Sequence, residues 1–112
     1  MDVSQGPEWQ YTVVDVSDNS TTVYANPCLL KGVIVTTALS AHVCPIQDDT
    51  VAVATLPASA AAGTQIDCYG VKILTSLVVD PNDSGTGMIT VIWKPNHDGI
   101  AGSGYSGADN GL

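Results

Sequence analysis

The chain has 112 residues and a formal net charge of −8, with three lysines, two histidines, one glutamate and no arginine or phenylalanine. A chain of that length holds one domain with one core, burying roughly two-thirds of its unfolded surface without help from a metal or disulfide. The negative field opposes binding to DNA, RNA and anionic membranes, because phosphate recognition relies on lysine and arginine displacing counterions.

Residues 1–6 carry neither a basic start nor an apolar stretch, so no secretion signal is read and a protein made and used without export is expected. Residues 9–16 alternate Trp9, Tyr11 and Val13 against Gln10, Thr12 and Val14, the period of a strand. Val16-Ser17-Asp18-Asn19-Ser20 reads as a hairpin loop, and residues 20–25 as a short Thr/Val/Tyr strand. Residues 28–37 form a longer apolar strand in which Gly32 is a candidate bulge. Residues 41–46 are interrupted by Pro45, which suits an edge position or a strand end. Asp48-Asp49 then reads as a solvated turn that also protects an edge. Residues 50–56 alternate again. The Ala-rich stretch from Pro57 to Gly63 is too short to stand as a helix and reads as a turn, or one helical turn, closed by Gly63. Strands over 64–69, 71–79 and 86–94 complete the set, the last two joined by the Pro-led turn Asp80-Pro81-Asn82-Asp83-Ser84-Gly85. Helix formers other than alanine are scarce and no helical apolar spacing occurs. The expected fold is all-β, a small antiparallel β-sandwich or jelly roll of about eight strands.

After Pro95 the composition changes. Residues 1–95 read as a single β-sandwich domain and 96–112 as a flexible Gly-rich tail, which cannot build a core of its own. Alternatively it is an arm that orders against a neighbour through Ile100, Tyr105 and Leu112. Several strands are apolar on both faces: Val33-Ile34-Val35 is continuous, and Met88 and Ile92 oppose Ile89, Val91 and Trp93. A sandwich needs one apolar face per sheet, so the surplus predicts a homo-oligomer.

Little in the chain points to chemistry. Cys28, Cys44 and Cys68 are odd in number and spaced unlike a disulfide framework or a zinc site, so buried reduced thiols are expected. His42 and Cys44 would share one strand face, but two further metal ligands and a base-orienting residue are lacking nearby. Asp80, Asn82 and Asp83 share a loop that turn chemistry explains without calcium. No G-x-S-x-G elbow is present, and the glycines of 102–107 lack the lysine and helix of a phosphate loop. The reading is therefore no catalytic residues, no cofactor and no metal. Trp9, Tyr11, Tyr24, Tyr69, Trp93 and Tyr105 could form a sugar platform, but their scatter suits core and interface packing.

The run Leu30-Lys31-Gly32-Val33-Ile34-Val35-Thr36-Thr37 is followed by Leu56-Pro57-Ala58-Ser59-Ala60-Ala61-Ala62-Gly63-Thr64. Gly70-Val71-Lys72-Ile73 then leads to Leu77-Val78-Val79 and to Ser84-Gly85-Thr86-Gly87-Met88-Ile89-Thr90-Val91-Ile92-Trp93. This order, over about 65 residues, resembles small virion proteins of tailed bacteriophages, of the capsid decoration or cement type. The longer amino-terminal strands and the glycine-rich end depart from that pattern and could mark attachment regions. The resemblance implies a virion protein, made in the host cytoplasm, that binds the outer capsid surface and stabilises the shell by bridging subunits. Its partners would be the major capsid protein or another virion protein and further copies of itself, by resemblance a trimer. Trp9, Tyr11, Ile100, Tyr105 and Leu112 are the candidate interface residues. The alternative is a tail, baseplate or fibre structural protein with receptor or glycan binding, and a carbohydrate-binding module outside a virion is a third reading.

Overall fold

The computed structural model describes residues 8–96. Their strands are β1 (Gln10–Asp15), β2 (Thr21–Tyr24), β3 (Cys28–Thr37), β4 (Cys44–Asp48), β5 (Val51–Leu56), β6 (Gln65–Ile73), β7 (Leu77–Val79) and β8 (Met88–Pro95). They form two four-stranded sheets, β1-β8-β3-β6 and β2-β7-β4-β5, in which every pairing is antiparallel. The pairs β1:β8, β2:β7, β3:β6 and β4:β5 make one long ribbon closed by the β4–β5 turn. Winding that ribbon lays β8 beside β3 and β7 beside β4. This is the jelly-roll order, and it specifies the all-β expectation.

Period-two alternation supplies the core. Val14, Leu30, Val33, Val35, Ile73, Ile89, Val91 and Trp93 point inward from the first sheet, and Cys44, Ile46, Leu56, Leu77 and Val79 from the second. Burying each large side chain contributes about 1.5–3 kcal/mol. Trp93 is packed against Tyr24, ring centroids 4.6 Å apart, and its indole Nε1–H donates to Thr12 Oγ1 at 3.0 Å. A buried indole donor is thus satisfied.

Gly32 lies at a bulge, as its sequence context suggests: the register of β3 shifts between Leu30 and Gly32 against both neighbours, with Lys31 the extra residue opposite β8. A Cβ on Gly32 would sit 2.7 Å from the Ile66 carbonyl oxygen, so the bulge and the glycine go together.

Two boundaries differ from the sequence reading. The break expected at Gly70 is absent, and β6 runs through it. Tyr69 and Gly70 take φ of 58° and 72°, and the chain arches there, its pairing with β3 passing from Asp67 to Val71 while β3 advances from Gly32 to Leu30. The true break falls at residues 74–76. There the Asp48 carboxylate accepts the N–H groups of Leu74 (2.8 Å), Thr75 (2.9 Å) and Ser76 (3.4 Å). Asp48 is thus a half-buried clamp rather than a solvated turn residue. Of the two positions expected for Pro45, the strand end holds and the edge does not: it is the second residue of interior strand β4. Its carbonyl accepts Asp80 N–H at 3.1 Å, and the β7 ladder begins one residue later, at Ile46↔Val79, so the missing proline N–H falls at the ladder's end. The Ala-rich stretch is two successive turns that place Ala60 in the core.

Candidate interaction face

The outer face of the first sheet collects the residues of interest. Direct cross-strand partners lie on the same face. The register therefore places Tyr11 beside Ile92, Val13 beside Thr90 and Ile34 beside Thr90, all facing away from the core. Tyr11 is 71% exposed, Val13 49% and Trp9 38%, while Ile34 and Ile92 are half-buried.

Trp9 precedes β1, whose first residue pairs with Trp93, so it stands beside Lys94. Its ring lies 4.6 Å from Lys94 Nζ and 5.4 Å from Lys31 Nζ, both within cation–π range. The bulge at β3 turns Lys31 toward that ring. Lys72 pairs with Leu29, which pairs in turn with Lys94, so all three lysines of the chain occupy this one face. Two carboxylates share it but are engaged locally. Asp67 accepts Tyr69 N–H at 2.8 Å; Asp15 accepts the N–H and hydroxyl of Ser17 at 2.9 and 2.6 Å, and these bonds lower its pKa. Beside Lys31 the face is indented by a depression of about 140 Å³ lined by Gly32, Ile34, Gln65, Asp67 and Ile92.

The sequence-derived interface residues divide accordingly. Trp9 and Tyr11 sit on this face, whereas Ile100, Tyr105 and Leu112 lie outside the described residues, as does His97. Ile34 and Ile92, read from the sequence as surplus apolar residues, lie on the same face, while Lys31 and Lys94 belong to it and were missed. Only the register of β1 on β8 and of β8 on β3 brings them to Trp9, and a single sequence does not encode that pairing in any local motif.

The remaining chemical groups stay dispersed. Among the described residues no three His, Cys, Asp or Glu side chains gather as a metal site would require. His42 lies in a bend before β4 and so does not share a strand face with Cys44. The three thiols are unpaired, Cys28 and Cys44 buried and Cys68 half-buried. Burial, with Asp48 adding, pushes the Cys28 pKa up to about 11, and burial with Asp80 does the same for Cys44. Burial and then Asp67 raise Cys68. Such thiols remain protonated and poor nucleophiles near neutral pH. Asn82 Oδ1 accepts Ser84 N–H at 2.8 Å, the turn chemistry expected of that loop. Among the described residues no helix is long and apolar enough to cross a membrane.

The chain matches no protein-family model, no curated protein and no solved structure.

Proposed function

We propose that this chain is a capsid decoration protein of a tailed bacteriophage, a non-catalytic building block that binds the outer capsid surface and bridges shell subunits as a homo-oligomer. The observation that carries the reading is the outer face of the first sheet. A sandwich needs only its inner faces to fold, yet Trp9, Tyr11 and Val13 are left exposed beside Ile34 and Ile92. Exposed aromatics beside half-buried apolar residues supply the kind of anchors that protein interfaces use. The jelly roll is an architecture that virus shells share with lectins, so the fold is compatible with this reading without selecting it.

Undecorated expanded capsids, heated with and without the purified chain, test the proposal. The expected result is a rise in the temperature at which they open; an unchanged opening temperature at saturating protein would contradict it.

One observation favours the second reading, a tail, baseplate or fibre protein that binds glycans. The depression beside Lys31 offers Gln65, Asp67 and Lys31 as hydrogen-bonding groups over an apolar floor, close to Trp9. Trp93 is buried, so fluorescence quenching by added oligosaccharide would report on Trp9 alone. Saturable quenching would favour that reading over decoration.

A further inference from the structure

The two sheets end in four edge strands, β1 and β6 in the first and β2 and β5 in the second. A free edge offers unpaired N–H and C=O groups to any extended strand, and proteins guard such edges with bulges, charges, proline or very short strands. Three of the four are guarded. β2 has four residues, and its register shifts between Thr22 and Tyr24. β5 bulges at Val53, the extra residue between Ile46↔Ala54 and Gln47↔Ala52. β6 arches at Tyr69 and Gly70 and carries Asp67 and Lys72. The β5 and β6 edges also lie against each other. β1 has none of these devices. Its six residues pair with β8 in unbroken register and include no proline and no charge before Asp15. Among the described residues no strand pairs on its other side, and its outward side chains Tyr11 and Val13 are exposed.

We infer that β1 is a dimerisation edge: the β1 strands of two copies pair antiparallel about a two-fold axis at Thr12, joining their four-stranded first sheets into one continuous sheet. This rests on the oligomeric part of the function proposed above and names the strand and the register that carry it.

A second copy supplies an identical strand, and β1 is complementary to itself when reversed, as an isologous contact requires. Direct cross-strand partners share a face, so Tyr11 and Val13 stay outside only when odd-numbered residues oppose odd-numbered ones. With the axis at Thr12, Tyr11 of each copy opposes Val13 of the other, an aromatic–β-branched pair formed twice, and Trp9 opposes Asp15. An axis at Val13 would set Tyr11 against Asp15, and one at Tyr11 would set core residue Val14 against Glu8. Charge fixes the direction of the pairing. On the outer face of β1 and β8 the charged residues are Asp15 and Lys94, at opposite ends of the two strands. Antiparallel pairing brings Lys94 of each copy to the Asp15 end of the other, whereas parallel pairing would bring Lys94 toward Lys94. Glu8 falls level with the uncharged Val16 and adds a carboxylate at each joint. The backbone ladder and the Tyr11–Val13 pairs therefore carry the contact, and the charges orient it.

The test uses the full-length chain, with mass read by light scattering during size-exclusion chromatography. The parent is expected at twice the chain mass, and Val13→Lys, which charges the edge, at the mass of one chain. Val13 is exposed, and unchanged near-ultraviolet circular dichroism verifies that the variant folds. Register is read by disulfide cross-linking in a Cys68→Ser background, which removes the half-buried thiol. Tyr11→Cys and Val13→Cys chains should cross-link when mixed and neither should when alone, because like positions lie on a diagonal beyond disulfide reach. A monomeric or trimeric parent, a Val13→Lys chain that keeps the parent's mass, a mixture that does not cross-link, or either cysteine variant cross-linking by itself would overturn the inference. Capsid binding separates this from the functional proposal. A parent that is monomeric yet protects capsids contradicts edge pairing alone, and a dimer that leaves capsids unprotected contradicts decoration alone.

Discussion

At the scale of single residues, Asp48 is the clearest case of a side chain whose role depends on the tertiary fold. It holds three backbone N–H groups 26 to 28 residues away. Asp48→Ala leaves those donors without their acceptor, and a stability loss of about 1–3 kcal/mol, read as a lower urea unfolding midpoint at unchanged slope, is expected. Asp48→Asn, which keeps one acceptor oxygen, should lose less. Thr12→Val removes the acceptor of the buried Trp93 indole at nearly constant shape, at a further cost of about 1–3 kcal/mol. The thiols give a pH dependence with a definite sign. Cys28 and Cys44 ionise near 11 in the folded chain against an ordinary value of 9.0. The unfolded chain therefore loses these protons first as pH rises. Their contribution is whole below pH 9 and disappears as pH climbs toward 11. Melting temperature should fall over that window, and a Cys28→Ala/Cys44→Ala variant should show a shallower fall. At pH 8 a thiol reagent should modify Cys68 first and reach Cys28 and Cys44 only with denaturant.

At the scale of elements, Gly87 shows how tightly the connections are specified. Its φ is 126°, and a Cβ there would lie 2.8 Å from both the Ala38 carbonyl oxygen and Leu39 Cδ2. Its own carbonyl accepts Val16 N–H at 3.0 Å, tying the start of β8 to the end of β1. Gly87→Ala combines strain with a backbone clash, and a stability loss of at least about 1–3 kcal/mol is expected by thermal or urea unfolding. Strand identity was legible wherever period-two alternation of β-branched residues was uninterrupted, and β3 was read with both ends correct. The reading failed at Gly70 because glycine marks both turns and bulges, and only the pairing with β3 distinguishes them. It failed at residues 74–76 because that break is made by a carboxylate from a distant turn. Pro45 was read as marking an edge position or a strand end, and the second holds: it stands beside the first residue of β4, where the ladder has barely begun.

For the molecule as a whole, the combination to be explained is an acidic chain whose three lysines share one sheet face with the exposed side chains of Trp9, Tyr11 and Val13. Trp9 and Tyr11 were legible as interface candidates because they are aromatics of the amino-terminal strand that departs from the resembled pattern. Their lysine neighbours were not, since they come from β3 and β8, and strand order is a long-range property. A surface of this kind gains affinity from a few buried aromatic anchors with water excluded around them, so single changes there should matter more than their area suggests. The most direct measurement of the central claim is cosedimentation of the full chain with undecorated expanded capsids, beside the Tyr11→Asp variant. The account predicts saturable binding at a fixed ratio to capsid subunits, and at least a tenfold weaker association for the variant, about 1.4 kcal/mol. Absence of the parent chain from the capsid pellet, or equal binding by the variant, would contradict it.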